Sequence, residues 1–411
     1  MRSKKMIADT TLLKLAGQFG TPLFVYDGDM VQKRCRELHD FIPYQNLVIH
    51  YALKANYNVG LLKLLRDTGA GIDAVSPAEV ELALRLGFTR DKIIYTANNM
   101  TDAEFEKVRI TNVLMNIGSL SRLRKIAKNY PGMKVCLRFN PDVCDGDSIH
   151  TMTAGALTKF GILLDDLEEV KALVKEGDLH VVGLHEHTGS GLQHAESVYT
   201  AMGKLMEIAT PENFPELEFL DFGGGFKVPY KPGEPRIDYV EMGSKIAELF
   251  KDFCKRYGKE LIMRFEPGKY LVAESGVLLT EVNTLKRNRE RLIAGCNSGF
   301  PQLIRPMLYG AYHIIDNLSN PDGARQLYDV CGNICETGDR FAEQRELPEI
   351  REYDILAIRN AGAYCYSMGG IYNLRSMPGE VVLSNDKVIY RRKRLSDEEM
   401  LDHIFKEEVE V

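Results

Sequence analysis

The chain of 411 residues has no C-x-x-C pair, no Cys/His cluster at zinc spacing, no internal repeat and no low-complexity segment. Its eight cysteines (35, 136, 144, 254, 296, 331, 335 and 365) are dispersed, so free thiols are expected rather than a disulfide scaffold or a zinc module. There is also no excess of basic charge. The net charge of -6 argues against an overall field for nucleic acid or anionic lipid. No stretch approaches the roughly 18 apolar residues of a membrane span, and the basic start Met1-Arg-Ser-Lys-Lys-Met6 leads into no signal-type apolar region. These absences imply a soluble, cytoplasmic protein. With 45% hydrophobic residues, the chain can bury a large core and divide into two domains.

What is present is a rhythm. Short apolar strands are expected at Leu47–Leu53, Gly71–Val75, Lys92–Thr96, Val113–Ile117, Lys134–Phe139, His180–His185, Leu217–Phe222 and Leu261–Phe265. Helical patterns fall between most of them, among them Val59–Thr68, Pro77–Leu86, Leu120–Asn129 and Tyr239–Tyr257. Eight strands alternating with helices fit a (β/α)8 barrel. From about Gly268 the pattern becomes strands without long helices: Tyr270–Ala273, Val277–Leu285, Arg291–Ala294, Leu327–Val330, Ile355–Arg359, Glu380–Leu383 and Lys387–Arg391. The expected fold is therefore α/β, a TIM-like barrel over residues 27–267. An all-β domain over 268–411 would be completed by residues 1–26, which supply a strand at Leu23–Tyr26 after a helix, Asp9–Phe19, capped by Asp9 or Thr10. The tail from Ser396 to Val411 is at most an acidic amphipathic helix.

Polar residues gather at the carboxyl ends of the barrel strands, the face where such barrels keep their chemistry. Lys54 follows the first strand, Asp73 and Ser76 the second, Asn98 the third, and Arg138 and Asn140 the fifth. His187 and Ser190 follow the sixth, Gly223-Gly-Gly225 the seventh and Glu266 the eighth. Apolar walls around Lys54 would lower its pKa and free the amine for Schiff-base chemistry; a surface lysine after a strand is the plainer alternative. Consecutive glycines after the seventh strand let amides approach an anion, although triple glycine also serves as an ordinary turn. His185-Glu-His187 could begin a metal site, but no third ligand is spaced for it, and no metal is expected. A buried Glu266 needs a cationic partner, which a protonated ring nitrogen would supply. A lysine, an imidazole to stack on a flat ring, an amide nest and a carboxylate together fit pyridoxal phosphate.

The ordered blocks HYALKAN, HTGSG, DFGGGF, EPGK, LIRPMLYGAYH, CGNICETGD and RNAGAYCYSM resemble those of the barrel-type (fold type III) pyridoxal phosphate-dependent decarboxylases, most of all the branch acting on meso-2,6-diaminopimelate in lysine biosynthesis. The resemblance implies pyridoxal 5'-phosphate joined to Lys54, with His187 stacked on its ring and Glu266 on its nitrogen. Ser190, the amides of Gly223, Gly224 and Gly225, and the Tyr364 hydroxyl would hold the phosphate. Arg305 and Tyr309 would bind the substrate's distal carboxylate and Glu336 its distal amine, while Cys335 would be the proton donor. The segments bearing Cys335, Glu336 and Tyr364 would come from the second subunit of a homodimer. Lys269 stands where the family usually has arginine; it keeps the charge but not the bidentate fork, which leaves its contact to cofactor or substrate open. Two alternatives stand beside this reading. One is a decarboxylase of a polyamine precursor such as carboxynorspermidine or ornithine, and the other a catalytically silent regulatory relative. The polar, glycine-containing stretch Asp142 to Thr158 is a candidate lid.

Overall fold

A computed structural model describes residues 7–143, 145–146, 154–155 and 158–405. The candidate lid therefore lies mostly outside the described residues, as do Cys144 and the end of the acidic tail, whose helix is seen at Asp397–Phe405.

The first strand, Leu23–Asp27 (β1), belongs to the second domain. The barrel begins with Leu47–Ala52 (β2), Gly71–Ala74 (β3), Ile93–Tyr95 (β4), Leu114–Ile117 (β5) and Lys134–Asn140 (β6). After a short Ile162–Leu163 (β7) on the edge of β6, it continues with His180–His185 (β8), Phe219–Asp221 (β9) and Ile262–Phe265 (β10). All neighbours are parallel, in the order β2-β3-β4-β5-β6-β8-β9-β10, and β10 pairs with β2 to close the ring. Because helices cover the outside, the strands are buried on both faces and read as near-continuous apolar runs. All eight expected barrel strands are thus present, most shortened by a residue or two.

Helix starts follow local capping chemistry. The Asn58 side chain accepts from the amides of Gly60 and Leu61, Ser76 accepts from Glu79, and Thr101 with Glu104 forms a capping box. Ser76 therefore caps the helix Pro77–Arg85 rather than facing the barrel mouth as a chemical group. At the N-terminus the expectation also fails in detail. The helix Asp9–Phe19 starts after Ala8 with no side-chain cap, and Asp9 instead pairs with Arg359 at 2.8 Å.

The second domain is a mixed sheet of β1, Gly276–Asn288 (β11), Arg291–Cys296 (β12), Ile315–Asn317 (β13), Arg325–Cys331 (β14), Arg340–Pro348 (β15), Ile355–Arg359 (β16), Gly379–Ser384 (β17) and Lys387–Arg392 (β18). The N-terminal strand is internal to it: β1 runs antiparallel to β11 and parallel to β17. The expected strand Tyr270–Ala273 is instead a short helix, Lys269–Val272. Its four residues are all buried where the chain turns from barrel to sheet, a setting that an apolar run of this length cannot announce. Among the described residues no helix is long and apolar enough to cross a membrane.

Candidate active site

The carboxyl ends of the barrel strands open into a cavity of about 710 Å³. Lys54, Arg138, His187, Ser190, Lys269 and Tyr364 line it near the barrel, with Arg305 and Tyr309 toward the second domain. A recess on its floor is bounded by Gly224, Gly225, Phe226 and Glu266.

Lys54 sits in a single 3-10 turn, Leu53–Ala55, directly after β2. Its Nζ lies 3.4 Å from Oδ2 of Asp73, which the neighbouring strand carries opposite Ala52. Burial works against the ammonium, but Asp73, Tyr364 and Glu266 outweigh it, so the Lys54 pKa is held above its ordinary range. This reverses the lowered pKa expected from apolar walls. The error is physical: the wall beside the amine carries a carboxylate, and an opposite charge within reach favours the charged form. Burial and Glu266 carry Asp73 up to about 6 even with Lys54 beside it.

Beneath the lysine lies a layer of buried polar groups. The Asn116 amide donates to His185 Nδ1 at 2.7 Å. That ring atom must then accept, so the proton sits on Nε2, which lies 3.3 Å from Glu266 Oε2. Burial, reinforced by Arg138, keeps His185 neutral. Glu266 is 6% exposed, and its Oε1 has no hydrogen-bond partner within the protein. Burial raises its pKa, while Lys54, Arg138 and Arg264 pull it back. His185, Asp221 and Glu266 also place three potential ligand atoms within 4.8 Å. That group includes only one of the two histidines noted in the sequence, and of its two acids Glu266 already feels Lys54, Arg138 and Arg264.

His187 accepts a hydrogen bond from the Gly224 amide at 3.2 Å, and the Gly223 amide donates to Asp221 Oδ1 at 3.0 Å. Two of the three amides assigned to a phosphate cradle thus already serve other acceptors, which leaves Gly225 as the amide to test there. The glycines are still required. A Cβ at 224 would meet the Glu266 carbonyl at 2.4 Å, and one at 225, where φ is +111°, would meet the Gly189 carbonyl at 2.7 Å. Burial, with Arg138 and Lys54 adding to it, holds the His187 imidazole well below its usual pKa and hence neutral.

Tyr364 departs from expectation. Its amide donates to the Ala55 carbonyl at 2.8 Å, so the chain's own Tyr364 lines the cavity beside its own Lys54 and need not arrive from a second subunit. Cys335 and Glu336 behave differently. Both are exposed, on the turn between β14 and β15, and neither lines this cavity. The Cys335 amide donates to Asn373 Oδ1 at 3.2 Å, and the Tyr372 hydroxyl donates to Glu336 at 3.1 Å. Asp73, given no role from the sequence, proves to be the partner of Lys54. Arg138, noted only as a strand-end residue, is 9% exposed and bears on most of the buried acids. Tyr230 and His313 were missed altogether.

The floor suits pyridoxal phosphate. A buried carboxylate oxygen lacking a donor faces a recess walled by glycines that tolerate no side chain, and an amine and a neutral imidazole share the same opening.

Residues 28–273 match the family model for the pyridoxal-dependent decarboxylase, pyridoxal binding domain. The chain is 40% identical to a diaminopimelate decarboxylase of Methanothermobacter thermautotrophicus, over 96% of this chain and 94% of that protein. It is 34% identical to the Escherichia coli diaminopimelate decarboxylase, over 95% of each. A crystal structure of diaminopimelate decarboxylase superposes with a TM-score of 0.89 at 32% identity, covering 98% of both chains. That of the Helicobacter pylori enzyme complexed with L-lysine gives 0.87 at 28% identity, over 96% of this chain and 99% of that one.

Proposed function

From a chain that belongs to the pyridoxal-dependent decarboxylase family, in its diaminopimelate decarboxylase branch, we infer an enzyme that converts meso-2,6-diaminopimelate to L-lysine and carbon dioxide. The observation that carries this reading is the two-ended cavity. Lys54, His187 and Glu266 lie at one end, and Arg305 with Tyr309 stands at the other, where a second carboxylate would bind.

Pyridoxal phosphate, when bound, supplies an electron-withdrawing ring that takes up the charge left on the α-carbon as carbon dioxide departs. Lys54 would hold this cofactor covalently, with Asp73 orienting the lysine. His187, kept neutral by burial and oriented by the Gly224 amide, would stack on the cofactor ring. Glu266 would retain a proton on the ring nitrogen, with His185 Nε2 3.3 Å from its second oxygen. Ser190, the Gly225 amide and the Tyr364 hydroxyl would receive the phosphate, and Lys269 would add charge at the same wall. Arg305 and Tyr309 orient the substrate by its distal carboxylate.

Cys335 protonates the α-carbon and Glu336 binds the distal ammonium, both supplied by the partner subunit of a homodimer. The support is geometric: these two residues are exposed and outside the chain's own cavity, so a site built from one chain has neither. The sheet domain, residues 1–26 and 268–411, carries them and so contributes to both the dimer and the active site.

The test offers the cofactor-loaded protein meso-diaminopimelate, L-ornithine and carboxynorspermidine, and follows carbon dioxide release. Release from diaminopimelate alone, abolished in Lys54→Ala, is expected. Faster release from either polyamine precursor would reassign the substrate. No release from any of them, with cofactor mass absent from the Lys54 peptide after borohydride reduction, would mark a silent relative.

A further inference from the structure

We propose that His313 and Tyr230 form a clamp that positions Arg305 for the substrate's distal carboxylate; the inference rests on the role given to Arg305 above. Arg305 opens the short helix Arg305–Tyr309 and is 5% exposed, at the cavity wall. His313, fully buried, follows that helix. Its Nδ1 lies 2.8 Å from the Arg359 carbonyl, and its Nε2 lies 3.1 Å from Arg305 Nη1.

These two contacts fix the tautomer. A carbonyl oxygen can only accept, so Nδ1 carries the hydrogen; a guanidinium can only donate, so Nε2 offers its lone pair. The imidazole is therefore a neutral acceptor aimed at one tooth of the arginine fork. Burial and Arg305 itself push the His313 pKa down to about 3, so the ring does not become a competing cation at working pH.

Tyr230 closes the other side. The guanidinium carbon lies 4.2 Å from the centroid of its ring, within cation–π range, and the His313 ring meets the same tyrosine edge-on at 5.4 Å. The backbone is held as well, since Arg345 donates to the His313 carbonyl at 2.8 Å. Tyr230 comes from the loop after β9, and the other residues come from the sheet domain. The clamp thus ties the arginine to the barrel mouth from two directions. Ordering a free arginine side chain costs rotamer entropy, and holding the fork before substrate arrives removes much of that cost from binding.

Four variants of the loaded holoenzyme test this: His313→Ala, His313→Gln, Tyr230→Leu and Arg305→Ala. KM and kcat are measured with meso-diaminopimelate, and dissociation constants are measured by calorimetry for L-lysine, which keeps a carboxylate, and for cadaverine, which has none. His313→Ala and Tyr230→Leu are expected to raise KM and the lysine constant at least ~10-fold, with kcat within about threefold and cadaverine binding within about twofold. His313→Gln, which retains an acceptor, should fall between these and the wild type.

Unchanged lysine binding in folded His313→Ala and Tyr230→Leu overturns the proposal, as does equal weakening of lysine and cadaverine. If His313→Ala does not fold, His313→Gln and Tyr230→Leu decide by the same criteria. Arg305→Ala separates the failures. No effect of that change would remove the reading of the pocket together with this clamp, whereas a strong effect there and none at His313 or Tyr230 removes the clamp alone.

Discussion

Glu186 lies between the two site histidines in sequence and is 1% exposed, with Oε2 lacking a partner within the protein. Burial carries its pKa up to about 8; Glu266 adds to the rise and Arg138 opposes it. An unfolded glutamate titrates near ~4.3, so between there and 8 the folded state holds the extra proton and stability falls as pH rises, by up to ~1.4 kcal/mol per pH unit. Buried His50, His185, His187 and His313 act in the opposite sense, because their folded pKa values are lowered. Their contribution is complete above the unfolded value of about 6.5. Across pH 6.5 to 8.5 Glu186 and Glu79, the latter raised by burial to about 7, act beside other raised buried carboxyls, Asp221 and Glu266, so the Glu186 contribution is read as the difference between wild type and a Glu186 variant. Glu186→Gln should flatten the decline in melting temperature across that window, so that its stability relative to wild type rises by a few degrees between pH 6.5 and 8.5. Parallel melting curves for the two proteins would show that this carboxyl does not titrate there.

Single residues were legible where they end strands. Glu266 directly follows the end of an apolar strand, Lys54 and His187 each lie two residues beyond another, and the strand–helix alternation along the chain brings them to one face. Their electrostatics were not legible: the Lys54 pKa turns on Asp73 in the next strand, and the role of His313 turns on a carbonyl 46 residues away.

Among the elements, the junction of barrel and sheet is set by close backbone contact. A Cβ at Gly362 would lie 1.7 Å from the Val272 carbonyl, and one at Gly276 would meet Gly362 at 2.3 Å. Gly362 also donates to Ala273, and its carbonyl accepts from Asn56 in the turn after Lys54. Gly362→Ala should therefore push the following segment, with Tyr364, away from Lys54. The expected outcome is a melting temperature several degrees lower together with weaker cofactor retention, read by thermal unfolding and by cofactor loss on dialysis. A variant that keeps wild-type cofactor affinity would show that Tyr364 is positioned independently of this contact. The barrel strands could be read because buried parallel strands are uniformly apolar, whereas β13 and β15 carry charged or polar residues on an exposed side. The expected strand Tyr270–Ala273 falls on the helix Lys269–Val272 because four consecutive apolar residues carry no period that separates strand from helix.

For the whole molecule, the cavity and the Cys335 loop make different demands. Lys54 faces the chain's own cavity, while Cys335 and Glu336 are exposed and hydrogen-bond to Asn373 and Tyr372, in a segment where Ile371, Tyr372 and Leu374 are exposed apolar side chains, and exposed Met307 stands near Gly338 of the same turn. An apolar rim of that kind around polar groups fits an interface. In a twofold dimer the contact is isologous, so each subunit would present its loop to the other's cavity and receive the same in return. Lys54→Ala and Cys335→Ser would then damage different halves of each site. Each homodimer should be inactive or nearly so. A mixed dimer has one site bearing both lesions and one bearing neither. If subunits exchange freely in an equal mixture, half the dimers are mixed and about a quarter of all sites are intact, so activity should recover to about a quarter of the wild-type value. The recovery should grow with the rate of subunit exchange and fail when each variant is crosslinked before mixing. If both variants are inactive alone, exchange is demonstrated by labelled subunits and no activity returns, then Lys54 and Cys335 act within one chain and the shared site is wrong.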